Sequence, residues 1–152
     1  MDVPAIESCI EAAYSIYVDR IGKPPAPMLD DFEELVDAGY VRVASSTDGH
    51  LLGVVVYWPV DDHLYIDNVA TASVARGRGV GSALLSDAED AARSLGLSEL
   101  RLYTNVAMTE NLTYYPKIGF TETHRGVQDG YERVFFSRPV GDAPVQKRAK
   151  HS

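Results

Sequence analysis

The sequence predicts an α/β (α+β) domain in which helices flank one β-sheet, and three of its features indicate this class. Segment 40–46 alternates apolar with polar residues, the turn "TDG" follows it, and segment 50–58 is a second strand-like run, so the three together predict a β-hairpin. A third strand-like run, 63–72, is followed by a long amphipathic pattern and then by another strand, 97–105, as in a strand–helix–strand unit. Helical patterns precede the hairpin, so the order of the elements favours helices packed on the faces of a sheet.

Two helices are predicted before the hairpin. The first covers residues 4–19, and the proline-rich segment "GKPPAPM" then breaks the chain. The second is "LDDFEELVDAG", with Asp30 and Asp31 near its start and Gly39 at its end. The first helix rests on apolar side chains at helical spacing, namely Ile6, Ile10, Ala13, Tyr14 and Tyr17.

The longest helix is predicted over residues 80–95, and Gly96 ends it. After strand 97–105, a short helix is predicted over residues 108–119, and residues 120–140 form a closing pair of strands around a "QDG" turn. The apolar stripe of the longest helix is expected to consist of Val80, Leu84, Ala88, Ala91 and Leu95.

Composition limits the classes of protein that fit. The 152 residues suit one domain, predicted over residues 1–140, followed by a flexible basic tail over residues 141–152. The net charge of −8 argues against a nucleic-acid partner, and no apolar run is long enough for a membrane span. The single cysteine, Cys9, leaves no cysteine cluster for a metal, and no metal is expected. The start of the chain has no basic segment ahead of an apolar one, so the predicted location is cytoplasmic.

The segment "RGRGVG", residues 76–81, lies at the start of the longest predicted helix. A helix N-terminus offers unpaired N–H groups and about half a positive charge. Glycines remove the Cβ atoms that would hold a ligand away from the backbone. Together with Arg76 and Arg78 these features predict a phosphate-binding site. The alternative is a tight strand-to-helix turn in which the glycines only supply left-handed torsions.

Two well-known phosphate loops do not match this segment. The P-loop requires Lys and then Ser or Thr after its last glycine, whereas Gly81 is followed by Ser82 and Ala83. The dinucleotide fingerprint requires a third glycine where this sequence has Ser82 or Leu84.

Two motifs resemble those of the GNAT superfamily of acetyl-CoA-dependent N-acetyltransferases. In the loop 76–81, Arg76, Gly79 and Gly81 match its Gln/Arg-x-x-Gly-x-Gly/Ala signature, and "YPKIGF", residues 115–120, matches its Tyr-x-x-x-Gly-Phe element. The motifs occur in the family's order and separation. The resemblance implies a central mixed, mostly antiparallel sheet flanked by about four helices. The family usually has a further strand before its first helix, which is not evident in this sequence.

The resemblance implies acetyl-CoA as co-substrate and assigns residues to it. The loop would hold the CoA diphosphate, and the strand before it would part from its neighbour and pair with the pantetheine arm. An amide near the thioester would polarise its carbonyl, a contribution on the order of 3 kcal/mol. The residues assigned to the loop are Arg76, Gly77, Arg78, Gly79, Val80 and Gly81. Those assigned to the arm are Val69, Ala70 and Thr71, with Asn105 and Asn111 as further cofactor contacts.

Tyr115 corresponds to the family's general acid, which gives a proton to the departing sulfur. A thiol of this kind has a pKa of about 8.5, so a nearby donor assists its departure. Such a group accelerates a reaction roughly 10²- to 10⁴-fold. The alternative role for Tyr115 is packing against Phe120. Its neighbour Tyr114 points about 100° away on a helix and is expected to pack.

Asp67 is the candidate general base. Period-two geometry places Tyr65, Asp67 and Val69 on one face of the third strand, where this family often has a carboxylate. The alternative is a solvated aspartate or a turn partner. His63 is a second candidate base, although its position at a strand start predicts a surface residue.

One position departs from the family pattern. Many members have asparagine seven residues before the tyrosine, and this sequence has Met108 there. Asn111 lies about one helical turn further on and is the expected substitute.

The sequence leaves the acyl acceptor open among a small-molecule amine, an amino acid and a peptide or protein N-terminus. The resemblance places the acceptor pocket between segments 20–31 and 123–132. Asp30, Asp31 and Glu33 are available to attract a cationic amine, or else complement the dipole of a helix start. The alternative functions are a non-catalytic acyl-CoA-binding or regulatory module and a nucleotide-binding α/β protein. Family members frequently form homodimers, and the sequence does not fix the oligomeric state.

Overall fold

A computed structural model describes residues 1–141, so the predicted tail lies, from residue 142 onward, outside the described residues. Six strands form one sheet in the order β1-β2-β3-β4-β6-β5. The strands are β1 Val41–Ser45, β2 Leu51–Val60, β3 His63–Thr71, β4 Glu99–Asn105, β5 Thr121–Gln128 and β6 Tyr131–Pro139. The α-helices are α1 Val3–Tyr14, α2 Val18–Ile21, α3 Phe32–Asp37, α4 Val80–Ser94 and α5 Thr109–Lys117.

The predicted fold class is confirmed. Among the described residues β3 and β4 pair in parallel, and the other four pairings are antiparallel. The two N-terminal helices are shorter than predicted. A 3₁₀ turn at Ser15–Tyr17 separates α1 from α2, and another at Ala26–Leu29 occupies the proline-rich segment. None of the helices within residues 1–141 combines the length and the apolar character that crossing a membrane requires.

Two apolar layers cover the two faces of the sheet. On one face α4 and α5 pack over a cluster that includes Ile66, Leu100 and Phe136. On the other face α1 and α3 pack over a cluster that includes Ile10 and Val54. Each fully buried aliphatic side chain contributes roughly 1.5–3 kcal/mol, so both layers stabilise the sheet that positions the site.

The stripe predicted for the longest helix is partly wrong. Leu95 is 59% exposed, because it caps the helix where the chain turns away at Gly96. The side chains that α4 buries are Leu84, Leu85, Ala88 and Ala92.

The sheet opens between β3 and β4. The two strands pair only from His63 with Glu99 to Ile66 with Leu102. Beyond these pairs β3 stays beside β2 to its end, and β4 stays beside β6 to its end. The two strands therefore part, and backbone that a closed sheet would bury is available at the opening.

A β-bulge lies where the strands begin to part. Ile66 faces Tyr57 of β2 and Asn68 faces Val56, so Asp67 is the extra residue. Bulges of this kind redirect side chains and are frequent beside functional sites. The prediction that Tyr65, Asp67 and Val69 share a face is wrong for Val69, which packs with Ile66 in the cluster under α4. The reason is that the extra residue shifts the alternation by one position.

Gly53 tests the contact between β2 and α4. A Cβ at Gly53 would lie 2.8 Å from Val80 Cγ1 and 2.9 Å from the Ala70 carbonyl oxygen. We expect Gly53→Ala to lower the free energy of unfolding by about 1–3 kcal/mol, because the core has no space for the methyl group. The measurement is urea unfolding followed by the fluorescence of Trp58. Gly126→Ala on β5 is the control, since its methyl group would meet no atom within 4 Å. Equal effects of the two substitutions would show that β2 and α4 do not pack this closely.

Candidate active site

A small cavity occupies the opening between β3 and β4. Its volume is about 40 Å³, whereas one water needs roughly 10–15 Å³ by the same measure. The enclosed part therefore has room for only a few non-hydrogen atoms. Its walls come from α1, the proline-rich segment, β3, β4, α5 and β6, and they include Asp67, Asn68, Tyr115 and Arg133.

Unsatisfied polar atoms concentrate around this cavity. Within residues 1–141, four buried side-chain atoms lack a hydrogen-bond partner: Asp30 Oδ2, His63 Nδ1, Asn68 Oδ1 and Arg133 Nε. Asn68 and Arg133 line the cavity, and Asp30 lies against Asp67, which also lines it. Such atoms are rare in native proteins and indicate either a strained or a functional region.

Asp30 and Asp67 form a pair of carboxyl groups. Two carboxylates have only acceptor atoms, so a hydrogen bond between them requires a proton on one of them. Burial, together with the hydrogen bond to Asp67 and its charge, raises the pKa of Asp30 from 3.8 to about 8. Near neutral pH Asp30 therefore stays largely protonated and can donate a hydrogen bond to Asp67. Tyr65 supplies a further donor to this pair, with its hydroxyl 3.4 Å from Asp67 Oδ1.

The other acidic residues near the predicted acceptor site have different positions. Asp31 caps α3, and its Oδ1 accepts a hydrogen bond from the Glu34 amide at 3.2 Å. Glu33 is exposed in the first turn of that helix. Of the three, Asp30 is the one that lies against Asp67, a residue of the cavity wall.

His63 is buried rather than on the surface, with 8% of its area exposed. It lies four residues before Asp67, roughly 13 Å away along an extended strand. It is not among the residues that line the cavity.

Tyr115 lies at the boundary between packing and the cavity. Its ring is 5.6 Å from the ring of Phe120 and 5.6 Å from that of Phe136, so the packing contact exists. The side chain also lines the cavity that Asp67 lines. Burial raises the pKa of Tyr115 well above its ordinary value, which keeps the phenol protonated as a donor. Tyr114 was expected to pack but is 38% exposed, beside the start of α4.

The N-terminus of α4 is open to a ligand. Gly79 caps it with φ +79°, in the left-handed region, and no side chain within residues 1–141 hydrogen-bonds to this end. The first i→i−4 hydrogen bond of the helix runs from the Ala83 amide to the Gly79 carbonyl oxygen at 3.0 Å. The amides just before Ala83 therefore make no helical hydrogen bond. Arg76 and Arg78 are exposed, and neither takes part in an ion pair of the described region.

Neighbouring pockets with shared lining residues form a groove that leads from this N-terminus toward the cavity. At the α4 end it measures about 380 Å³ and is lined by Thr71, Arg76 and the three glycines of the loop. It continues past α1 between Val69, Ala70 and Thr71 on one side and Asn111 and Tyr115 on the other. Val69, Asn111 and Tyr115 also line the cavity, so the groove and the cavity are direct neighbours.

Part of the polar surface of this groove is already bonded within the protein. Tyr14 donates its hydroxyl to the Val69 carbonyl oxygen at 3.1 Å. Asn105 Oδ1 accepts a hydrogen bond from the Ala107 amide at 2.9 Å, and Asn111 Nδ2 donates to Thr104 Oγ1 at 3.0 Å. Both asparagines line the cavity, and Met108 is buried between them.

The segment over the cavity is held in place from two sides. Tyr131 donates its hydroxyl to the Pro24 carbonyl oxygen at 2.7 Å, and Lys23 Nζ donates to the Gly130 carbonyl oxygen at 2.8 Å. Arg20 donates to both carboxylate oxygens of Glu110 on α5, at 2.8 and 3.1 Å. The proline-rich segment is thus fixed to the β5–β6 turn and to α5.

Sequence reasoning missed several residues of this cavity. Tyr14 belongs to an apolar helical stripe, so only its contact with β3 distinguishes it. Tyr103 and Arg133 lie on strands that the sequence predicts, but neither residue belongs to a recognised motif. Arg133 did carry a signal, since period-two alternation places it on the same strand face as the aromatic residues Tyr131 and Phe135.

Comparison with known proteins agrees with this architecture. A profile of the family described as "Acetyltransferase (GNAT) family" matches residues 7–120. Among solved structures, a nourseothricin acetyltransferase is 29% identical with a TM-score of 0.57, and 68% of each chain is covered. The search of curated proteins found no match.

Two further solved structures share the fold at lower identity. The ribosomal-protein-S18-alanine N-acetyltransferase from Escherichia coli is 19% identical with a TM-score of 0.68, covering 93% of this chain and 90% of that one. The NatC complex bound to Gag peptide and CoA is 19% identical with a TM-score of 0.68, covering 93% of this chain and 96% of that one.

The proton on Asp30 predicts how stability depends on pH. The folded chain keeps a proton on Asp30 up to about pH 8, whereas an unfolded aspartate loses it near 3.8. Ionisation of this group therefore favours unfolding, and its effect grows from about pH 4 to about pH 8. We expect Asp30→Asn, which cannot ionise, to gain stability relative to the native chain across this interval and to level off above it.

Urea unfolding at a series of pH values measures this difference. Glu33→Gln, which removes an exposed carboxylate of the same segment, is the control for the loss of one acidic group there. If the difference in unfolding free energy between Asp30→Asn and the native chain did not change with pH over this interval, Asp30 would already be ionised in the folded chain.

Proposed function

The chain belongs to the GNAT acetyltransferase family, whose profile spans residues 7–120, and from this premise we propose that it transfers an acetyl group from acetyl-CoA to a primary amine. Family membership makes the protein an acyltransferase. The observation that supports the finer proposal is the groove of neighbouring pockets that leads from the open N-terminus of α4 toward the cavity beside Asp67 and Tyr115. A groove of this form suits a long co-substrate with an anionic end and a reactive end.

The diphosphate of CoA fits the start of α4. The amides there have no side-chain cap, and the positive φ angles of Gly77 and Gly79 shape the loop without side chains. A helix N-terminus is a ready anion site. Arg76 and Arg78 add exposed cationic donors at its margin.

The pantetheine arm would follow Val69, Ala70 and Thr71, where β3 has parted from β4. Its thioester would then reach the cavity. Since the Val69 carbonyl is bonded to Tyr14, the backbone groups that remain for the arm are fewer than the family pattern implies. Asn105 and Asn111 would contact the cofactor only through the atoms that their internal hydrogen bonds leave free.

The proposed reaction is direct attack by the neutral amine. The amine nitrogen forms a bond to the thioester carbon, the carbon–sulfur bond breaks, and the amine loses one proton. Tyr115 gives a proton to the departing thiolate and recovers one from solvent. The Asp67 carboxylate takes up the amine proton and later releases it to solvent, while protonated Asp30 beside it holds this carboxylate in place.

Other parts of the sequence-based interpretation stay predictions. They are a single domain over residues 1–140, a cytoplasmic location, no nucleic-acid or membrane partner, no metal, and a homodimer as one possible state. The relatives are named for nourseothricin and for an alanine of ribosomal protein S18, so their names do not single out one acceptor.

Gly79→Glu tests the diphosphate site. The carboxylate would lie where the anion binds, so we expect affinity for CoA to fall about 100-fold or more, measured by isothermal titration calorimetry. Gly96→Glu is the matched control, because Gly96 ends the same helix with φ +73° and also has no atom within 4 Å of an added Cβ. Both variants bear the same backbone strain, but only Gly79→Glu should lose CoA. Equal affinities in the two variants would refute the site.

Tyr115→Phe tests the general acid. We expect unchanged CoA affinity and turnover lower by at least about tenfold, because only the proton donor is lost. Tyr40→Phe makes the same chemical change at an exposed tyrosine before β1 and should retain turnover. The assay is release of free CoA thiol with a panel of amines. Full activity of Tyr115→Phe would refute the assignment of Tyr115 as general acid. If the native protein bound CoA but turned over no amine, a non-catalytic acyl-CoA-binding module would be favoured instead.

A further inference from the structure

Arg133 is a buried cation in the wall of the cavity. It lies on β6 opposite Asn105, and 6% of its area is exposed. Its guanidinium carbon is 4.0 Å from the ring centroid of Tyr103 and 5.6 Å from that of Tyr131. These contacts fix the guanidinium between aromatic faces and leave its hydrogen-bonding edge for polar partners.

The protein satisfies this cation only in part. Nη1 donates to Gln128 Oε1 at 2.6 Å, which is a neutral acceptor. The nearest ion-pair partner is Asp129, whose Oδ2 lies 3.8 Å from Nη1. The side chain of Asp129 is 79% exposed. Nε is buried and has no partner among the described residues. A buried charge with an unused donor lowers stability, so the arrangement indicates a partner that binds there.

The cavity therefore has charges of both signs. Asp67, with Asp30 against it, provides negative charge on the β3 side, and Arg133 provides positive charge on the β6 side. Because the free volume is small, a molecule that contacts both must hold its two charged groups a few bonds apart. The CoA diphosphate does not meet this description, since its site lies at the other end of the groove beside Arg76.

Resting on the proposed acetyl transfer, we propose that the acceptor is an amino acid, with its amine beside Asp67 and its carboxylate on the Nε edge of Arg133. A carboxylate matches the planar donor edge of a guanidinium and binds it with two parallel hydrogen bonds. A polyamine would bring a second cation toward Arg133. A peptide N-terminus would bring a neutral amide to that position and leave Nε without a charged partner.

Selectivity of the native protein is the first test. The probes are the standard L-amino acids, β-alanine and γ-aminobutyrate, each compared with its methyl ester and with the amine that lacks the carboxylate. An alanine-initiated tripeptide amide represents a peptide N-terminus. We expect kcat/KM to favour the best free acid over its ester and its amine by at least about tenfold, as for a lost charge-assisted hydrogen bond.

Arg133→Gln is the second test. The preference for the free acid should fall to about one, because KM should rise more for the acid than for the amine that lacks the carboxylate. Arg133→Lys should keep part of the preference, because it retains the charge without the planar edge. The control is Arg138→Gln on the same strand, where the arginine is bonded to Glu89 and to the Ile118 carbonyl. It should lower stability without changing the ratio, which separates recognition from a structural role.

The outcomes distinguish this inference from the proposed function. Acetylation of amines, esters or the tripeptide amide as efficiently as the free acids would overturn the inference and leave the acetyltransferase intact. Binding of CoA with no acetylation of any probe would overturn both. If Arg133→Gln does not fold, the ratio in the native protein decides by itself.

Discussion

The parting of β3 from β4 is the constraint on which the rest of the structure depends. Backbone groups inside a closed sheet are bonded to the neighbouring strand, so a sheet that opens must leave some of them to other partners. In this chain the pairing stops at Ile66 and Leu102, and the bulge at Asp67 follows at once. The opening gives a ligand access to backbone, and the bulge turns a carboxylate toward the same space. The end of the pairing and the bulge thus lie side by side, and together they determine the proposed path of the thioester and the position of the proposed base.

The positions of individual charges along the groove matter more for ligand binding than the net charge of the chain. The chain has a net charge of −8, yet the outer end of the groove has Arg76, Arg78 and the start of a long helix. Its inner end has the carboxyl pair of Asp30 and Asp67. An anionic co-substrate is therefore attracted at one end and an amine at the other. Since fields fall off within about 10 Å in salt, these local groups outweigh the total charge.

The sequence predicted the parts of this molecule that local rules determine. The order of helices and strands, the glycine loop at the start of α4 and the placement of Tyr115 all follow from periodicity, turn residues and two motifs. It did not predict the bulge, because an extra residue in one strand depends on pairing with the other. That single shift separated Val69 from Tyr65 and Asp67. Asp30 and Arg133 were also beyond local rules, since their partners lie 37 and 28 residues away, at Asp67 and at Asn105.

The unsatisfied atoms explain why these distant residues belong to a site. Of the four buried side-chain atoms without a partner in residues 1–141, two belong to cavity residues, Asn68 and Arg133, and a third belongs to Asp30, which lies against the cavity residue Asp67. Each such atom costs about 1–3 kcal/mol when it stays unpaired. Apolar side chains of similar size would make a more stable opening, so stability alone does not account for aspartates and an arginine there. A molecule that presents an amine to the carboxyl pair and a carboxylate to Arg133 would satisfy both groups at once. The hydrogen bonds formed on binding would then offset the cost of leaving these buried polar atoms unpaired in the free protein.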